Sequence, residues 1–491
     1  MRLFRHTDAA DRAASISLQY PWVVLPMLVT LSVSLLLLAF FPGWLALTWA
    51  SGLTALAALG VVVWGWCSSW RHMLYLWIGA AFFLVGFPLN TFLIACGLDV
   101  EQYILPTDYE SISLSFQVGV VGWAAWTMGF LHRAKPMLRT KRSSLGGRRE
   151  RVFSPAGLMA VAAIGLMGKI TLGLLLHSQA GNQLFEKVGT LFSILGTFGL
   201  VAVFVLYETG GKRQRGFAIA LLVISSASGL LTGQRTEMFK GIIFFILFLM
   251  LRRNMEGLPM RKLGWAIAAV LAGFVLLYPA LTQYKIAMSA SRQESSGLER
   301  ALLLMETLPS AGSEGGGASW RGASHFLVRM SQVQFGAHLV TTGRAQWGLL
   351  KGRSLYECAI MFIPRFLWRT KPTIGLGPEA YALLGFREGT GSTVIPVAVD
   401  WYLNFDWIGV LAGMWLTGLF VSSIHQTLGG GGVMRNATLV VISMEVCQAG
   451  TGLKSIISTL VIYGVGCLVM ERLLARRRRM VVCRAEQGGA S

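Results

Sequence analysis

Charge is scarce in this chain, and negative charge scarcer still: 13% of its 491 residues are charged, with 23 Asp and Glu against 43 Lys and Arg. With 54% hydrophobic residues in runs of about twenty, that scarcity excludes a soluble multi-domain protein and leaves a polytopic membrane protein. The six cysteines (Cys67, Cys96, Cys358, Cys447, Cys467, Cys483) stand singly with no CxxC, which excludes a zinc site or a disulfide framework. Also missing are a Walker lysine loop, HExxH, GxSxG and a Rossmann glycine fingerprint, so a nucleotide-driven pump or a metalloprotease is not expected. The two halves show no repeat of the kind that marks many transporters.

What the chain does have is about twelve apolar spans: 21–41, 44–66, 74–96, 114–132, 155–177, 188–207, 216–232, 237–251, 263–280, 405–425, 433–451 and 453–471. A net charge of +20 would suggest nucleic acid in a soluble protein. In a membrane protein it raises a different question, which side of the bilayer holds the Lys and Arg residues. Alternate loops carry them: Arg2, Arg5 and Arg12, Arg71, the block from Arg133 to Arg151, Lys212 to Arg215, Arg252 to Lys262, Arg435, and the tail from Arg472. The loops between carry almost none, and the one at 97–113 is acidic. This alternation predicts an all-α fold with both termini cytoplasmic, the N-terminal residues forming a tail before an uncleaved first span.

On that topology residues 1–279 hold spans one to nine, 280–393 form a long helical extracytoplasmic loop, 394–475 hold spans ten to twelve, and 476–491 form a basic cytoplasmic tail. The loop carries about a dozen basic residues on the side where the short loops carry few; long translocated regions escape the charge rule. Ser310 to Ser319 is a glycine-rich link. The stretch after it, from Trp320 to Gly343, has a helical pattern that places Arg321, His325, Arg329 and Gln332 within a sector of roughly 80°. Then YECAIMFIPRFLWRTKP gives an apolar half-span broken at Pro364 and followed by Arg365, Arg369 and Lys371, predicted to be an interfacial or re-entrant helix.

Forked, permanently charged Arg side chains, with Lys as an added point charge, suit a diphosphate, and an anionic lipid headgroup is the ligand found at that depth. The cluster Arg365, Arg369, Lys371 fits that role or the plainer one of anchoring a peripheral helix. Arg235, in the outer turn LTGQRTE, is the second candidate, and Lys240 follows it by five residues. His325 is a candidate base or phosphate donor, and Asp400, Glu379 and Glu388 are carboxylates able to accept a proton from a hydroxyl. Lys169 and Glu445 lie inside spans, where charge is costly, and are expected to pair or line a polar cavity. The acidic pair Asp99 and Glu101 is weak evidence for a cation, and no metal or other cofactor is expected.

LTGQRTE, FIPRFLWRTKP and GTGSTVIPVAVDWYLNFDWIGVLAGMWLTGLF together resemble the bacterial oligosaccharide repeat-unit polymerases, the Wzy-type O-antigen and exopolysaccharide polymerases. The residues that carry the resemblance are Pro364, Arg365, Lys371, Pro372, Ser392, Thr393, Pro396, Asp400, Asn404 and Gly409, within roughly 225–425, with Asp400 where the family pattern leads one to expect Glu. The resemblance implies a GT-C-like membrane glycosyltransferase joining undecaprenyl-diphosphate-linked oligosaccharides at the outer face of the bacterial inner membrane. Its product would be an O-antigen, capsule or exopolysaccharide, and its partners membrane lipids, a chain-length regulator and a flippase, with no nucleic acid. On that basis Arg235, Arg365, Arg369 and Lys371 would hold the diphosphates, Arg321, His325 and Arg329 would face the second lipid-linked substrate, and Asp400 or His325 would be the base. The competing readings are an O-antigen ligase and a flippase or transporter of the same glycan.

Overall fold

In the computed structural model, the described residues are 24–67, 74–97, 108–140, 152–176, 183–231, 235–253, 331–363, 367–368, 370–372, 376–383, 395–428, 432–447 and 452–476. Apart from a pair of two-residue strands and the turns and short loops between elements, they are helical. In chain order the helices are α1 (Val24–Phe40), α2 (Trp44–Cys67), α3 (Leu74–Gly86), α4 (Pro88–Ala95), α5 (Tyr109–Thr140), α6 (Pro155–Leu176), α7 (Gln183–Thr209), α8 (Lys212–Leu231) and α9 (Arg235–Arg253). After residues 254–330 come α10 (Gln332–His338, continued by a π-helical turn, Leu339–Gly343, into Arg344–Trp347), α11 (Arg353–Ile360), α12 (Gly377–Leu383), α13 (Val397–Leu428), α14 (Val433–Cys447) and α15 (Leu453–Leu474). Five described segments are long and apolar enough to cross a membrane (Trp44–Trp64, Ile78–Ala95, Tyr109–Arg133, Val397–Leu428 and Leu453–Leu474), and four shorter apolar helices accompany them. The protein is an all-helical, multi-pass membrane protein. The expected ninth span, 263–280, lies outside the described residues.

Lipid offers helices no hydrophobic reward for associating, so the bundle is held by close backbone approach at small residues. A Cβ on Gly129 would collide with the carbonyl of Trp415, and one on Gly418 with the carbonyl of Trp126, so α5 and α13 touch backbone to backbone. Gly165 and Gly199 do the same for α6 and α7, which run antiparallel.

One end of the bundle gathers the segments whose charges alternate in the sequence. Gln426 at the foot of α13 donates to the Arg133 carbonyl (2.6 Å), Arg435 pairs with Glu471 (3.0 Å), and β1 (Val152–Phe153) pairs antiparallel with β2 (Ala475–Arg476). Segments assigned to one side of the membrane from charge alone therefore meet in space.

At the other end α13 is not a straight rod. Phe405 (φ −141°, ψ 19°) and Asp406 (φ 58°, ψ −150°) leave helical geometry, and the residues on either side fold back on each other. Ala398 and Met414 lie against the same point, Gly122, although in an unbroken helix they would be about 24 Å apart. The Trp401 indole donates to Thr417 (3.2 Å), and its ring fills the space a Cβ on Gly413 would need. So residues 397–404 form a short returning limb packed along the span that starts at Trp407.

Asp tolerates the left-handed region better than most residues, and Asp406 uses its side chain to accept the Trp407 N–H (2.8 Å). The break frees the carbonyls of Leu403 and Asn404. The loop before α11 satisfies them, through the N–H groups of Leu350 (3.0 Å) and Lys351 (3.2 Å). Arg344 locks the same corner: its guanidinium donates to Asp406 (2.8 Å) and lies 5.3 Å from the centre of the Tyr402 ring.

Candidate functional site

Asp400 sits on the returning limb and is 6% exposed. The limb brings it against α11, where the Ser354 hydroxyl donates to its Oδ1 (2.5 Å). One turn further along the limb, Asn404 donates through Nδ2 to the same oxygen (3.0 Å), to the Asp400 carbonyl (2.8 Å) and to Ser354 Oγ (3.0 Å). The Ser354 N–H returns a bond to Asn404 Oδ1 (3.3 Å). A third donor arrives from the end of the chain, the Leu453 N–H in the first turn of α15. Burying a carboxylate is costly unless its oxygens are met by donors, and here the limb itself and two elements distant in sequence, α11 and α15, supply them.

Around this triad lies a ring of charge. Arg353 is hydrogen-bonded to both oxygens of Glu379 on α12, Nη1 at 3.1 Å, and through Nε to Glu357 (3.1 Å), which is itself 6% exposed. The Glu379 hydrogen bond raises the Arg353 pKa further, so its charge is permanent. Glu357 interacts electrostatically with Asp400 on one side and with Lys454 of α15 on the other, and Lys454 in turn feels Lys371. The Lys371 ammonium donates to the carbonyls of Met361 (3.1 Å) and Ile363 (2.7 Å), which folds the segment after α11 back onto it. Burial pushes the thiol of Cys358, on the same helix, up to about 11. The arrangement can hold one carboxylate in fixed orientation beside several cations, the combination needed to take a proton from a hydroxyl while a negative charge develops nearby.

Of the residues expected from sequence, Asp400, Glu379 and Lys371 come into this one neighbourhood, Glu379 as the partner of Arg353, while Glu388 lies outside the described residues. Arg235 begins α9, and Lys240, one turn and a half further on, is ion-paired with Glu445 of α14. Glu445 is thus paired with Lys240, a partner the sequence did not suggest. Arg321, His325, Arg329, Arg365 and Arg369 lie outside the described residues. Sequence reasoning missed Arg353, Ser354, Glu357 and Lys454. Ser354 and Glu357 share a helix face at i and i+3, but nothing local ties them to an aspartate 46 residues away.

A family model, described as O-antigen polysaccharide polymerase Wzy, matches residues 177–299. That match supports the Wzy-type polymerase family for this chain. It covers about a quarter of the sequence, including α7 to α9 and Arg235, and ends before Asp400. Wzy polymerases act on lipid-linked oligosaccharide repeat units in membranes, joining them into polymer. No curated protein and no solved structure matches the chain.

Proposed function

We propose that this protein polymerises undecaprenyl-diphosphate-linked oligosaccharide repeat units into an O-antigen, capsule or exopolysaccharide, at the extracytoplasmic face of the bacterial inner membrane. Outside the cytoplasm no nucleotide sugar is available, so the activated glycosyl bond arrives on a lipid diphosphate, itself a good leaving group. The observation that carries the reading is the buried, three-fold hydrogen-bonded Asp400 on a returning limb, held against α11, which carries Arg353, and the start of α15, which carries Lys454.

In this reaction Asp400 takes the proton from an acceptor-sugar hydroxyl as that oxygen bonds to the anomeric carbon of the donor. The bond from that carbon to the diphosphate oxygen breaks, and the electron pair leaves with the diphosphate. Arg235, Arg365, Arg369 and Lys371 offset the charge that develops there, with Arg321, His325 and Arg329 holding the second lipid-linked substrate. The basic loops at the opposite end then face the cytoplasm, in accord with the charge rule.

The test is polymerisation in nanodiscs supplied with purified undecaprenyl-diphosphate-linked repeats. Asp400→Asn is expected to lower polymer formation by a factor of about 10² to 10⁴, the range for removing a general base, while the protein stays folded and still binds the lipid-linked substrate. Wild-type rates in that variant would leave His325 as the base. Transfer of single repeats to lipid A core with no extension among themselves would point to the ligase reading.

A further inference from the structure

The ion pair between Arg353 and Glu379 differs from its surroundings in being open. Asp400, Ser354 and Glu357 are buried, whereas the side chains of Arg353 and Glu379 keep 39% and 41% of their surface exposed. The Arg353 guanidinium is used in two parts. Its Nε donates to the buried Glu357 (3.1 Å), one turn along α11, while Nη1 (3.1 Å) and Nη2 donate to the two oxygens of Glu379. The buried carboxylate therefore fixes the guanidinium, and the fork formed by Nη1 and Nη2 carries the exposed one.

Other contacts seat the helix that bears Glu379. Ala380 is fully buried, and at the end of α12 the Leu383 carbonyl accepts a hydrogen bond from His338 Nε2 of α10 (3.0 Å). The Glu379 side chain can thus swing off Arg353 without unseating α12 and without releasing the guanidinium from Glu357. A guanidinium fork takes carboxylate and phosphate in the same two-pronged geometry. An exposed ion pair is worth little, so a second anion of that shape competes with Glu379 at small cost.

We propose that Glu379 is an internal occupant of an anion subsite on Arg353, displaced when a substrate phosphate or sugar carboxylate takes the Nη1–Nη2 fork. The pair then acts as a self-inhibiting contact, which closes the fork to any anion that binds less well than a tethered carboxylate. The exchange takes place on the turn of α11 that also supplies Ser354 to Asp400. Which substrate brings the anion rests on the polymerase reading; the exchange itself does not.

The test titrates the full-length protein in nanodiscs with inorganic pyrophosphate and, separately, with glucuronate, reading the heat of binding. Glu379→Gln keeps the size of the side chain and removes its charge, and is expected to tighten at least one probe about fivefold, the worth of an exposed ion pair. A gain for pyrophosphate alone supports the exchange with a phosphate as occupant, a gain for glucuronate alone with an acidic sugar, and a gain for both with either. In an Arg353→Lys background a cation still faces Glu357 but the fork is gone, and the same substitution is expected to change affinity by less than about twofold. Glu379→Asp keeps the charge and shortens its reach; it is expected to tighten the same probe, and carries the test if Arg353→Lys does not fold. Unchanged affinity for both probes in Glu379→Gln overturns the proposal. So does an undiminished gain with Arg353→Lys, which would mean only that a negative charge had left the surface. Failure of the wild type to join lipid-linked repeats in the same nanodiscs would sink the polymerase reading, with the titrations still deciding the exchange.

Discussion

A buried carboxylate is only as good a base as its donors allow. Ser354 and Asn404 donate to the same oxygen of Asp400, and the Leu453 N–H is its third donor. Removing Ser354 Oγ takes away a bond to a charged group without opening much space. Ser354→Ala is therefore expected to lower kcat about tenfold with little change in KM for the lipid-linked donor, because the bond orients Asp400 and does not touch the sugar. A KM that rises in step with the fall in kcat would place the serine in substrate binding instead. Asp400 was legible in the sequence because its segment carried a family resemblance. Its partners were not, since a hydroxyl 46 residues upstream and a main-chain N–H 53 residues downstream leave no pattern on the chain.

At the scale of elements, the apolar pattern located the span of α13 well: 405–425 was expected and the descending limb begins at Trp407. What the pattern could not reveal was that PVAVDWYL, read as the approach to that span, turns back alongside it. Hydropathy measures how much chain is apolar, not where it reverses, and the only local sign was an Asp tolerant of positive φ. The corner depends on Arg344, 62 residues away, which holds Asp406. Arg344→Met and Asp406→Asn are each expected to lower stability by about 1 kcal/mol, discounted for the partial exposure of the pair, and the double variant by no more than the worse single one. Thermal unfolding in detergent measures this, and additive losses would show that the two side chains act independently. The same substitutions should lower polymerase activity more than stability, because the limb that carries Asp400 hangs from this corner.

For the whole molecule, the contacts Gln426–Arg133, Arg435–Glu471 and β1–β2 join segments that charge alone had put on one side. Reporter fusions after residues 145 and 480 are thus expected to report the cytoplasm, and one after residue 389 the opposite compartment. A fusion at 389 that matches the other two would overturn the orientation. Lys240–Glu445 belongs to this scale as well, tying α9, the last described helix of the family-matched stretch, to α14, next to the helix that supplies the Leu453 N–H.

The reversal at Phe405 and Asp406 also bears on how the protein is made. A limb of eight residues is far too short to be recognised as a span during synthesis, so it has to be carried into the bilayer by the helix that follows it. Its carboxylate then waits for a main-chain donor from α15, the last of the described helices in chain order. Until that helix arrives Asp400 lacks one of its three donors, so its hydrogen-bond shell closes only when α15 is in place.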